Sequence, residues 1–153
     1  MIIKIGDRIR EFRQQRGLTV EDLSQRITAS RFSRDIEDYD ELEINLELVG
    51  VIELCDLFEV TPWVLLGVDF PIIQILTARE CVDRVKAELR KYSISPEAFS
   101  EDCGWDINAV LQNPDYFLEW PLGALRDICM KADISWMAVL NGIYRARSKS
   151  PRD

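Results

Sequence analysis

The chain has 153 residues, 47% of them hydrophobic and 30% charged. That is the size of one ordinary domain or two small ones, with a globular composition. It contains no histidine, which excludes Ser-His-Asp and Cys-His catalysis, histidine-ligated metals and imidazole acid–base steps.

The elements, in chain order, are helical. Ile5, Ile9 and Phe12 recur at helical spacing with arginines between them, and Gly17 follows as a stop that accepts left-handed backbone. Thr19 then caps a second helix, with Glu21 and Asp22 in its first turn and Leu23 and Ile27 on its apolar face. Thr28-Ala29-Ser30 reads as a turn, and Ser30 caps a third short helix carrying Phe32 and Ile36 inward. Leu46, Val49, Val51 or Ile52, and Leu57 mark a longer helix. Thr61-Pro62 opens a short one that stops at Gly67. Residues 68–75 are the expected joint. Thr77-Ala78-Arg79-Glu80 is a capping box. Ser95-Pro96-Glu97, Asp106 and Pro121 open three further helices, and Asp133 or Ser135 precedes the last. Residues 145–153 read as a frayed polar tail. Strand-length Val/Ile alternation is absent, so the fold class is all-α. No apolar run reaches the roughly 18–20 residues of a membrane span, and Met1-Ile2-Ile3-Lys4-Ile5-Gly6-Asp7 turns charged too soon for a signal peptide. A cytoplasmic protein without membrane contact is expected.

The two halves repeat. Gly17-Leu18-Thr19-Val20-Glu21-Asp22-Leu23-Ser24 aligns with Ser93-Ile94-Ser95-Pro96-Glu97-Ala98-Phe99-Ser100, 76 residues on. Cys55, Val60-Thr61 and Leu65-Leu66 align with Cys129, Ile134-Ser135 and Val139-Leu140, 74 residues on. The boundaries are therefore set at 1–69 and 70–146, with a tail at 147–153. The four cysteines form no C-x-x-C pair and read as buried apolar thiols rather than zinc ligands. No metal or cofactor is implied.

Charge is segregated along the chain. The net charge of −8 disfavours nucleic acid when taken as a total. Yet residues 1–35 hold eight basic and five acidic groups, whereas residues 36–70 hold ten acidic groups and no basic one. Arg31 and Arg34 share the outer side of the third helix. Arginine suits bidentate contact with guanine edges and with phosphate. Ser30 and Arg31 open that helix, where base-edge contacts arise. Thr19 and the first amides of the second helix are candidates to hold a phosphate, and Gln14, Arg16 and Arg26 to add positioning contacts.

Ile9-Arg10-Glu11-Phe12-Arg13, the Gly17–Ser24 run, Ile36-Glu37 and Val60-Thr61-Pro62-Trp63-Val64-Leu65-Leu66-Gly67 together resemble the phage-repressor (Cro/C1, xenobiotic-response-element) helix-turn-helix family over about residues 5–67. The resemblance implies a five-helix bundle whose third helix enters the major groove. It also implies a structural ion pair, Arg13 with Glu37. The second half resembles a degenerate copy at about 78–142. Its third helix, from Asp106 to Asn113, holds no Arg or Lys, and it carries Trp105, Tyr116, Phe117, Trp120 and Trp136.

These features point to a sequence-specific DNA-binding regulator. Its N-terminal unit meets double-stranded DNA, and its C-terminal unit serves homodimerisation or partner contact. The alternative is a protein-interaction module of antitoxin, antirepressor or DNA-mimic type, built on the same scaffold. That alternative fits the acidic band at 37–59, where Glu37-Asp38-Tyr39-Asp40-Glu41-Leu42-Glu43 repels phosphate, or the aromatic C-terminal unit as the contact surface. An enzyme is not expected: there is no Gly-rich phosphate loop and no carboxylate pair set apart from the band.

Overall fold

The computed structural model describes residues 5–27, 46–68, 74–149 and 151. Among them the fold is all-α, as the sequence predicts. The first half supplies α1 (Ile5–Gln15), α2 (Val20–Arg26), α3 (Leu48–Phe58) and α4 (Pro62–Leu65). The second supplies α5 (Ala78–Lys91), α6 (Pro96–Cys103), α7 (Asn108–Gln112), a 3-10 turn (Pro114–Glu119), α8 (Leu122–Lys131) and α9 (Trp136–Arg147).

Local chemistry sets most of these boundaries. The Thr19 side chain accepts from the Asp22 amide at 3.1 Å while the Asp22 carboxylate accepts from the Thr19 amide at 2.7 Å. Thr77 and Glu80 build the same reciprocal box on α5. Each box satisfies two amides that a helix start otherwise leaves unpaired. Gly17 ends α1 at φ 64° and Gly67 follows α4 at φ 76°.

The 3-10 turn was not expected from the sequence, because six residues give no resolvable period. Ile107 rather than Asp106 is the N-cap of α7, although the Asp106 carboxylate still accepts from the Asn108 amide at 3.0 Å. Thr61 precedes Pro62 as expected, but its hydroxyl is buried and makes no capping bond. Leu46 is buried yet lies ahead of α3, and Val49 and Leu57 are only half-buried, the inward face being Leu48, Val51, Ile52, Leu54, Cys55 and Phe58. α9 runs on to Arg147, and beyond it the Ser148 hydroxyl and the Lys149 amide donate to the Asp56 carboxylate. The C-terminal segment is thus tied to α3 at its start rather than frayed.

Both halves contribute to one apolar core. Ile5, Ile9, Leu23, Leu54, Phe58 and Leu65 from the first are continuous with Val85, Phe99, Phe117, Ile128, Leu140 and Tyr144 from the second. Each side chain of this size adds about 1.5–3 kcal/mol when fully removed from water, so neither half would keep its present stability alone. Glu47 and Pro121 form an isolated antiparallel bridge between the halves. Ahead of α5, the Leu76 amide donates to the Ala138 carbonyl at 3.1 Å, which pins the segment entering the second half onto α9.

Candidate nucleic-acid interface

Three of the sequence-predicted contact residues are held by the fold. Arg16 folds back across the first half. Its Nη2 donates to the Phe58 carbonyl at 2.6 Å and its Nη1 to the Phe12 carbonyl at 3.3 Å. Its guanidinium lies 5.2 Å from the Phe12 ring centre and 5.5 Å from that of Phe58. Those two rings stack at 5.7 Å. The plane of the arginine thus extends an aromatic stack and satisfies carbonyls at two helix ends. Arg13 donates from Nη1 to the Leu18 carbonyl at 2.8 Å, bracing the turn between α1 and α2.

Thr19 is similarly engaged. Its hydroxyl and its amide both face Asp22, so a carboxylate already sits at the opening of α2, where the phosphate was expected. The bonds from Thr19, backbone first and side chain second, hold the Asp22 carboxyl below its ordinary value, with a further contribution from Arg26. The group stays ionised over the physiological range, and that negative charge opposes a phosphate at this point.

Gln14 is exposed at the end of α1, close in sequence to this turn. Arg26 lies at the other end of α2. It lines a shallow cleft of about 240 Å³ with Glu53, Asp56, Leu57 and Lys149. The fold therefore does not bring Gln14, Thr19 and Arg26 together as one cluster. Ser30, Arg31, Arg34 and Glu37 lie outside the described residues, as does the Glu37–Glu43 stretch. The proposed Arg13–Glu37 pair is accordingly not among the described contacts. Of the acidic band, Glu47, Glu53, Asp56 and Glu59 are described, and they belong to α3 and its caps.

Arg8 has a role that sequence reasoning missed. Its Nη2 donates to the Val64 carbonyl at 2.6 Å and its Nε to the Leu65 carbonyl at 3.2 Å, so it ties α1 to the end of α4. The sequence signal was modest: an arginine one residue before buried Ile9, on the flank of the apolar face. Three arginines of the basic head, Arg8, Arg13 and Arg16, thus spend their guanidinium donors on backbone carbonyls.

The aromatic residues of the second half do not gather on one exposed surface. Phe117 is buried and meets Trp120 edge-on at 5.2 Å. Trp105 is half-buried and donates to Asp127 at 3.1 Å. Tyr116 is the exposed member of this set. A cleft of about 330 Å³ runs between the start of α5 and the end of α9, floored by Phe117, Leu118 and Ile143. Its rim carries Arg79 and an Arg147–Asp115 ion pair. Among the described residues no cluster of three or more Cys, Asp or Glu has the geometry of a metal site, and no helix is long and apolar enough to cross a membrane. Comparison with family models, curated proteins and solved structures yields no match for this chain.

Proposed function

We propose that the protein is a DNA-binding regulator whose contacts come from the basic segment following α2. The observation that carries this reading is charge placement. Eight of the nineteen basic groups lie in the first 35 residues. Within that head the guanidinium groups of Arg8, Arg13 and Arg16 brace the α1–α2 corner and its packing on α3 and α4. Arg31 and Arg34 then stand as the base- and phosphate-directed residues, with Ser30 beside them and Gln14 on the exposed end of α1. The N-terminal arginines act as positioning residues for the segment that follows.

A second reading has its own observation. The α2 opening is occupied by the Asp22 carboxylate, and Arg26 faces the acids of α3. This arrangement favours a protein partner over a polyanion, on the same scaffold. Fluorescence anisotropy with labelled duplexes, including the region upstream of the protein's own coding sequence, separates the two. Under the DNA reading binding is sequence-preferring and weakens with added salt, and Arg31→Ala/Arg34→Ala abolishes it while flattening the salt slope by roughly one per lost phosphate contact. No binding at low salt refutes the DNA reading and leaves the protein-partner reading.

A further inference from the structure

The two halves share more than a pattern of apolar residues. Thr19 and Ser95, 76 residues apart, are both N-caps that accept from the amide three residues on, each at 3.1 Å. Ser24 and Ser100 both return a hydroxyl bond to the carbonyl four residues back, Val20 and Pro96. Gly17 and Ser93 are both left-handed, at φ 64° and 51°. The next residues, Leu18 and Ile94, donate to the carbonyls of Arg13 and Leu89. With the 74-residue offset, Glu59 and Asp133 are left-handed at φ 58° and 57°. Val60 and Ile134 then donate to the carbonyls of Cys55 and Cys129. Serine and aspartate in left-handed backbone carry a strain that glycine avoids, so keeping that conformation at matched positions marks a common local architecture.

The contacts between the halves are reciprocal. The Leu48 amide donates to the Trp120 carbonyl, and the Leu122 amide donates to the Leu46 carbonyl, both at 2.9 Å. Leu48 corresponds to Leu122 and Leu46 to Trp120 at the same 74-residue offset, so each bond is the counterpart of the other. The bridge they flank joins Glu47 to Pro121, which are themselves counterparts. Helix α4 packs on α9, its own counterpart. When residue i meets j and j meets i in this way, the two surfaces are related by a two-fold axis, the signature of an isologous dimer interface.

We infer that this chain is a pseudo-dimer closed within one polypeptide, its halves joined as two protomers would be, and that it acts as a monomer. The edge through which an isologous pair would form, at Glu47 and Pro121, is already paired internally. The homodimer expected from the sequence is thereby replaced by the second half. The two-fold relates backbones but not chemistry: Gln14, Arg16, Thr19 and Arg26 correspond to Arg90, Tyr92, Ser95 and Asp102, and no Arg or Lys occurs from Asp106 to Asn113. Resting on the DNA reading above, the consequence is that one chain engages a single asymmetric half-site instead of a palindrome.

The test uses the full-length chain. Light scattering from low to high micromolar concentration is expected to give a constant mass of 17.7 kDa, and a mass of twice that value refutes the inference. Glu47→Cys/Pro121→Cys, in a Cys103→Ser background, probes the axis directly. Flanked by those two bonds, the pair occupies a non-hydrogen-bonded antiparallel position, with Cα atoms about 4.5 Å apart, inside the roughly 4.4–6.8 Å range of a disulfide. Oxidation is expected to yield a cross-linked monomer on a non-reducing gel, whereas a covalent dimer shows that the halves pair between chains and overturns the proposal. If the double variant fails to fold, the mass of the unaltered protein decides alone. A monomeric mass with no DNA binding removes the regulator reading and leaves the pseudo-dimer standing.

Discussion

Gly142 lies inside α9, where helix propensity alone says alanine should be better by about 1 kcal/mol. The packing says the opposite. A Cβ at Gly142 would stand 1.9 Å from the Leu76 carbonyl oxygen and 2.6 Å from its carbon, against an ordinary contact of 3.4 Å or more. The obstacle is backbone, so rotamer adjustment gives no relief, and α9 and the segment ahead of α5 must separate by about 1.5 Å. That movement also breaks the Leu76 amide bond to the Ala138 carbonyl, whose net worth is about 1 kcal/mol. Overpacking costs about 1–3 kcal/mol. With the propensity gain set against both terms, Gly142→Ala is expected to lose about 2 kcal/mol, or roughly 4–8 °C in Tm at this chain length. Urea melts of the two proteins, compared at equal slope, measure the difference. Ala87→Gly on the exposed face of α5 calibrates the propensity effect by itself, at about 1 kcal/mol. A Gly142→Ala protein as stable as the original, or more stable, refutes the argument that this glycine is required by close approach.

Further expectations follow from the same contacts. Arg16→Ala should destabilise by about 1–3 kcal/mol through loss of the Phe58 carbonyl bond and the aromatic stack, and Arg16→Lys should restore less than half of it, since an ammonium cannot bridge two carbonyls and lie flat on the rings; chemical denaturation of both variants checks this. Thr19→Ala should lose about 1 kcal/mol of stability by thermal melting, through the missing cap. The Asp22 carboxyl is lower in the folded chain than its ordinary value, so its stabilisation is present above that ordinary value and disappears as pH falls through the depressed one; Asp22→Asn should therefore flatten the acid limb of stability against pH. Cys55, Cys81 and Cys129 are buried and Cys103 half-buried. Burial pushes the Cys55 thiol up, and the neighbouring Cys81 sulfur at 3.9 Å, together with burial, pushes the Cys129 thiol up. A thiol reagent at mildly alkaline pH should titrate one group in the native protein and all four after unfolding, and fast reaction of a second native thiol would show that the core opens.

What the sequence by itself determined is local. Helix starts at Thr19, Thr77, Ser95 and Ser135 were legible because a cap and its amide lie within three residues of each other. The stop at Gly17 was legible because left-handed backbone favours glycine. The internal repeat was legible because apolar spacing recurs at constant offset. The 3-10 turn and the true cap of α7 were not, since they span too few residues to establish a period. Tertiary structure decided what the arginines do. From sequence, Arg13 and Arg16 are cations on an amphipathic helix, equally suited to phosphate or solvent; the Phe58 carbonyl that claims Arg16 lies 42 residues away. The Val64 and Leu65 carbonyls that hold Arg8 are farther still. The pairing of Glu47 with Pro121 likewise joins two segments whose local sequences carry no strand signal, and Gly142 reads as a weak point in a helix until Leu76 is seen against it. These choices depend on which groups meet when the two halves close over one core, and short-range propensity carries no information about that meeting.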